Sequence, residues 1–302
     1  MKKVLAKITA ITVMSALAVT AFAGCGGNSS SNSSSDSSDA SFDTSKTITV
    51  VTREEGSGTR DAFTELTGVL VKDGDTKTDN TVTSAVTINS TEAVITNVKD
   101  NDSAIGYISL GSLNDTVKAV KVGSVEATAE NVKSGDYAIS RPFNIAYKSD
   151  LSEVAQDFVD YILSSDGQKI VTEEGYVTVS DGEAYSGKKP EGKISVAGSS
   201  SVSPVMEKLA EAYMAVNTNA KIEIQTLDSS AGMQAAMKGT CDIGMASREL
   251  KDEELSALTS TTIAKDGIAI IVNKANTCDD LTVDQIKAIY TGETTVWSDI
   301  IK

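Results

Sequence analysis

The chain has 302 residues, a formal net charge of −15 at pH 7 and no histidine. That acidic balance argues against nucleic acid as a partner, and the missing imidazole removes the commonest general base and metal ligand. The three cysteines fit neither a disulfide framework nor a thiolate metal cluster, so no metal and no cofactor is expected. Cys241 and Cys278 read as unpaired buried thiols, with pairing in an oxidising compartment as the other reading.

The chain opens on Met1-Lys2-Lys3, then an apolar run from Ile8 to Ala23 and the small residues Gly24-Cys25-Gly26-Gly27. A basic start, a short apolar stretch and small residues before a cut make a secretion signal. The order Phe22-Ala23-Gly24-Cys25 resembles a bacterial lipobox, with Phe22 where leucine is usual. Residues 1–24 are therefore expected to be a signal peptide and Cys25 the lipid-bearing first residue after cleavage. The alternative is plain secretion with Cys25 an incidental thiol. Ser29 to Ser41 is a tract of Ser, Asn and Asp with little to bury, so 25–45 reads as a flexible tether.

About 260 residues follow, enough for two lobes of ordinary size. Thr47-Ile48-Thr49-Val50-Val51-Thr52 alternates as a strand and runs into Arg53-Glu54-Glu55-Gly56-Ser57-Gly58-Thr59. Ala62, Phe63, Leu66 and Leu70 then have helical spacing. The same strand, turn, helix order returns at Lys193 to Ala197 with Gly198-Ser199-Ser200-Ser201, and at Lys221 to Thr226 with Ser229-Ser230-Ala231-Gly232. Further strands are expected at Ser103 to Ser109, Val117 to Val122, Asp242 to Ala246 and Gly267 to Val272, with a helix from Val154 to Leu163. Strands alternating with helices imply an α/β fold with mainly parallel sheets. Gly182 to Gly192, rich in Gly, Lys and Glu, reads as an internal linker.

Three strand-to-helix turns thus carry Ser or Thr with Gly. At a helix start four N–H groups lack intrahelical partners and the dipole favours negative charge. Hydroxyls add neutral donors, and Arg53 adds a planar fork suited to two oxygens of an anion. Taken singly, each turn reads first as an ordinary N-cap. Together they point to an oxyanion.

These segments, with Cys241-Asp242-Ile243-Gly244-Met245-Ala246-Ser247-Arg248, Ala104-Ile105-Gly106-Tyr107 and Ile289-Tyr290-Thr291-Gly292 leading to Trp297, resemble the phosphate-binding proteins of phosphate ABC transporters. The resemblance implies a two-lobed type II periplasmic-binding fold with a ligand cleft between the lobes. It implies a monomeric solute-binding lipoprotein that hands inorganic phosphate to an ABC permease. The protein would lie outside the cell, tied to the outer face of the bacterial membrane only through lipid on Cys25. Carried over residue by residue, the ligand contacts would be Arg53, Ser57, Gly58 and Thr59 from one lobe and Ser200, Ser201, Ser229 and Ser247 from the other.

Two departures stand out. Some members place an Asp where this chain has Ser247, as an acceptor for a proton on phosphate. Asp228 reads as a turn or cap residue, with supply of that carboxylate as the other reading; Glu55 is read as orienting Arg53, and Glu54 as solvated. The segment order is also rearranged, as in a circular permutation. The lobes are expected at 46–136 with 268–302 and at 137–267, the linker 182–192 lies in the second, and the ends of the folded part should be neighbours. Other readings are a binder of sulfate, molybdate or a phosphate ester, a surface phosphate sensor serving no permease, and a secreted serine hydrolase using Ser200 or Ser57 with a lysine in place of the missing histidine.

Overall fold

The computed structural model describes residues 42–74 and 76–301. The expected signal peptide, Cys25 and the tether as far as residue 41 lie outside the described residues. Residues 42–45, assigned to the tether, are docked instead: Phe42 is buried edge-on against Trp297, and Thr44 O accepts from Ser298 N at 2.7 Å. A large aromatic beside a buried indole gains too much from burial to remain in a solvated tether.

In chain order the first elements are β1 (Thr49–Arg53), α1 (Gly58–Thr67), the hairpin β2 (Leu70–Asp73) and β3 (Thr76–Asp79), β4 (Val86–Ile88), α2 (Thr91–Asp100), β5 (Ala104–Ser109), β6 (Lys118–Val122) and α3 (Ala129–Ser134). They continue with β7 (Ser140–Tyr147), α4 (Glu153–Leu163), α5 (Ser165–Glu173), β8 (Gly192–Ser199), α6 (Ser203–Val216), β9 (Ala220–Leu227) and α7 (Ser229–Lys238). The chain closes through β10 (Ile243–Ala246), α8 (Asp252–Ala257), β11 (Thr259–Val272), β12 (Asp280–Leu281) and α9 (Val283–Thr291).

The main sheet runs β4-β1-β5-β11-β7-β10-β8-β9, with β6 beside the far half of β11 and paired to β12. Toward each edge the pairing is parallel, β4-β1-β5 on one side and β10-β8-β9 on the other. In the middle, β7 and β11 run antiparallel to their neighbours. Thr259 to Gly267 of β11 pairs with β7, and from Ile268 onward the same strand pairs with β5 and β6.

Each edge carries its own core. Phe143, Ile145, Phe158, Val196, Leu209, Tyr213, Ile243 and Met245 pack together on one side, while Phe63, Ile105, Tyr107, Ile270, Ile286, Tyr290 and Trp297 pack on the other. Tyr137, Ile139 and Val177 belong to the second group although they fall within 137–267. The chain therefore crosses at Ser140 and again at Gly267, which are register partners in the sheet. At the ends of the folded part, Thr47 bridges Val296 in antiparallel fashion and Ile48 N donates to Thr295 O at 2.8 Å. These ends lie side by side, as the rearranged order requires.

The segment from residue 178 to 191 has no helix or strand but is strapped down. Tyr185 Oη donates to Asp157 Oδ2 at 2.5 Å, and Lys188 N to Asp157 Oδ1 at 3.2 Å. Cys241 and Cys278 are free and buried. Among the described residues no helix is long and apolar enough to cross a membrane, and no group of three or more metal-ligating side chains occurs.

Candidate functional site

Arg53 ends β1 with its side chain buried. Its backbone N–H donates to Tyr107 Oη at 3.1 Å, and Tyr107 Oη also shares a hydrogen bond with Thr52 Oγ1 at 2.8 Å. Its Nε and Nη2 meet the two carboxylate oxygens of Glu54 at 2.9 Å each, Nε also donates to Ile88 O, and Nη2 reaches Ser200 Oγ at 3.2 Å. The residue that orients Arg53 is thus Glu54, and Glu55 is exposed on the outside of the turn. Glu54 has already left the strand, so strand alternation no longer sends its side chain to the opposite face. Gly56, at φ +90, then reverses the chain in a conformation that side chains resist.

Ser57 is the N-cap of α1, its Oγ accepting from Arg60 N. Arg60 faces away from the hydroxyls, donating from Nη1 to Arg53 O at 2.7 Å and from Nε to Asp79 at 2.8 Å. Gly58 opens the helix where two walls meet: a Cβ there would lie 2.3 Å from Ser229 Oγ and 2.8 Å from Ser247 Oγ. Thr59 Oγ1 and Ser201 Oγ are 2.9 Å apart and hydrogen bonded.

The facing wall comes from three places. Ser200 and Ser201 occupy the turn from β8 into α6, Ser229 is the first residue of α7, and Ser247 directly follows β10. Ser199 Oγ donates to Ser247 Oγ at 2.9 Å, and Ser247 N donates to Ser229 Oγ at 3.2 Å. Asp228 is the N-cap of α7 and accepts from Ala231 N at 2.8 Å, so the cap reading holds for it. Ser230 N donates to Gly56 O at 3.2 Å across the walls.

All eight residues picked from the sequence come together and are buried. Several neighbours escaped the sequence reading. Thr91, the first residue of α2 behind its cap Ser90, shares a hydrogen bond with Ser201 Oγ at 3.3 Å. The run Asn89-Ser90-Thr91-Glu92 after a short strand carries the signal of a helix start. Arg141 lies behind Ser247, donating to its carbonyl at 3.2 Å and to Asp266 Oδ2 from Nε and Nη2 at 3.0 and 2.9 Å. Asp266 Oδ1 accepts from Ser109 Oγ and Leu110 N. Burial pushes the Asp266 carboxyl up to about 6, against the opposing pull of Arg141. Arg248, beside Ser247, forms a fork-to-fork pair with Glu254 at 2.7 and 2.8 Å.

What this geometry offers is a buried ring of hydroxyls, the starts of α1, α6 and α7, and one guanidinium, all between two α/β cores joined by crossing strands. It defines a solute-binding protein of the type II periplasmic-binding fold, with an anion as the fitting solute.

A family model described as a PBP superfamily domain matches residues 33–166 and 183–301. "Phosphate-binding protein PstS 2" of Streptococcus agalactiae serotype V is 49% identical over 260 residues, covering 85% of this chain and 88% of that protein. The protein of the same name in Streptococcus pneumoniae serotype 4 is 46% identical over 257 residues, again covering 85% and 88%. The crystal structure of a phosphate ABC transporter phosphate-binding protein from S. pneumoniae TIGR4 superposes with a TM-score of 0.69 at 47% identity, covering 85% of this chain and 100% of that one. The chain belongs to the periplasmic-binding-protein superfamily and, within it, to the family of these phosphate-binding proteins.

Proposed function

We propose that this protein captures inorganic phosphate outside the cell and delivers it to the permease of an ABC importer. It acts as a monomer held to the membrane by lipid on Cys25. The lobes meet at the crossing of Ser140 and Gly267, with 46–139 and 268–301 forming one and 140–267 the other apart from Val177, which packs against the first, and the anion sits between them. Arg53, Ser57, Gly58 and Thr59 contact it from the first lobe, and Ser200, Ser201, Ser229 and Ser247 from the second.

The observation that carries this reading is the convergence of three helix starts and the buried Arg53 on hydroxyls that now satisfy one another. An entering anion replaces hydroxyl-to-hydroxyl bonds with charge-assisted ones, which are shorter and roughly twice as strong. The positive potential comes from backbone dipoles and one arginine, so an acidic chain can bind an anion without a basic surface. Glu54 holds the Arg53 fork in place before the anion arrives, which lowers the cost of ordering it.

The protein is a carrier and not a hydrolase. Ser57 Oγ is engaged as a helix cap, and Ser200 Oγ takes a hydrogen bond from Arg53, which cannot act as a base at neutral pH. Titration calorimetry of the purified protein with phosphate, arsenate and sulfate tests the proposal. One-to-one phosphate binding at micromolar affinity or tighter, about −8 kcal/mol or more, is expected. No heat and no thermal shift at millimolar phosphate would overturn it, and tighter binding of sulfate would reassign the anion.

A further inference from the structure

Across the groove beside the hydroxyl ring, α1 and the start of α8 face each other. The groove encloses about 770 Å³ and is lined by Asp61, Leu66 and Leu70 on one side and by Arg248, Leu250 and Lys251 on the other. Arg248 is buried, and Glu254 fixes its guanidinium from one side through two hydrogen bonds. Glu254 is held in turn, since Lys251 N donates to its Oε2 at 2.8 Å. Hydrogen bonding and charge from Arg248 outweigh burial and keep the Glu254 carboxyl below its ordinary value. One edge of the Arg248 fork touches Ser230 Oγ at 3.2 Å, next to Ser229 of the hydroxyl ring.

The remaining edge points across the groove. Nε lies 3.1 Å from Asp61 Oδ2, off the N–H axis, so the contact is an ion pair without a hydrogen bond, and among the described residues it is the only partner Nε has. Asp61 belongs to α1 and is half-exposed, whereas Arg248 follows β10 in the opposite core. Burial pushes the Asp61 carboxyl up, against Arg248, Lys251 and Arg60. Those three cations offset part of the lost hydration, and two of them, Arg248 and Lys251, come from the opposite wall.

We propose that Asp61 and Arg248 form a latch between the lobes, with Asp61 a positioning residue that sets how slowly the bound anion is released without touching it. This rests on the reading of the cleft as a phosphate site. The contact joins groups that meet only once the walls have closed, so its loss acts on opening and leaves the encounter step alone. Glu254 keeps Arg248 in place when Asp61 is changed, which makes Asp61 the informative side to mutate.

The test is stopped-flow phosphate release and association on the full chain carrying Cys25→Ser, with Asp61→Asn and Asp61→Glu compared with the parent. Asp61→Asn is expected to speed release by about three- to thirty-fold and to leave association within about twofold. Asp61→Glu keeps the charge and should recover most of the slow release. Raising salt should speed release in the parent more than in Asp61→Asn, because a partly exposed pair is screened. Unchanged release in Asp61→Asn, or release and association slowed or sped alike, would overturn the latch.

A readout independent of phosphate keeps the two readings apart. Dyes on Leu66→Cys and Leu255→Cys, both exposed residues on α1 and α8, report the width of the groove by energy transfer; the two native cysteines among the described residues are buried. Asp61→Asn should widen the mean separation without any anion present. An unchanged separation would sink the latch even if the parent fails to bind phosphate, and that failure alone would sink only the assignment of the anion.

Discussion

Arg53 and Arg60 sit on one turn, carry the same charge and differ in what they face. Arg53 is buried against Glu54 and Ser200, while Arg60 braces the Arg53 carbonyl and the β3 residue Asp79. Replacing Arg53 by Ala removes a buried charge that its surroundings are built to hold, a change that costs about 2–5 kcal/mol of binding. Arg53→Lys keeps the charge but loses the fork, and should recover only part of that loss. Arg60→Ala should change phosphate affinity by less than about threefold, as expected for a partly exposed pair. Calorimetry on the three variants checks this, and equal losses at both arginines would show that Arg53 does not face the anion. Gly58 makes a sharper case. The hydroxyls of Ser229 and Ser247 approach so closely that Gly58→Ala would prop the walls apart. Alanine suits a helix better than glycine by about 1 kcal/mol, so the variant should keep its unfolding temperature without phosphate yet lose the rise that phosphate produces in the parent. A full phosphate-induced rise in Gly58→Ala would show that the walls do not need to touch.

At the scale of elements, what could be read in the sequence was local. A cap, a turn glycine and a helical stripe are neighbours in the chain, so the turns at 53–59, 198–203 and 228–233 declared themselves. Of the crossing strands, only the second half of β11, from Gly267 to Val272, did so. Proline is normally confined to edge strands and bulges, so Ser140-Arg141-Pro142 reads poorly as a central strand. Yet β7 is central, and Pro142 pairs close to the bulge between Thr262 and Ala264 in β11. Arg141 makes sense only beside Asp266, 125 residues away. The choice between Glu54 and Glu55 also lay beyond local patterns, because it turns on where the chain leaves the strand.

The Arg141 and Asp266 pair yields a test with a definite sign. Burial raises the Asp266 carboxyl from 3.8 to about 6, so the folded protein holds this proton more tightly than the unfolded chain does. The stability this group contributes is fully present below about pH 4 and is lost as pH rises through about 6. Asp266→Asn removes this titration, so the parent's advantage over the variant is greatest below about pH 4 and shrinks as pH rises through about 6. Melting temperatures of parent and variant between pH 4 and 7 should therefore converge as pH rises. A gap that widens with pH would mean that Arg141 keeps Asp266 ionised across the whole range.

For the whole molecule, the paired ends imply that the order of segments matters less than their contacts. Thr47 bridges Val296 and Ser298 N donates to Thr44 O, so a join of about four residues, which reaches at most about 14 Å, suffices to link Ile301 to Thr44. A new opening between Lys188 and Lys189 falls in an exposed stretch without helix or strand, in a linker held mainly through Tyr185 and Asp157. It separates no two residues of the hydroxyl ring from the elements that carry them. Exposed, weakly paired backbone is where chains accept new ends. The rewired chain, starting at Lys189 and ending at Lys188, should fold and bind phosphate within about threefold of the parent, since every turn that supplies the site stays intact. Opening the joined chain between Ala246 and Ser247 instead should abolish binding, because it cuts β10 from the serine that β10 positions. Circular dichroism and calorimetry on both rewired chains decide the matter, and loss of fold in the Lys189 version would show that the native order is itself required.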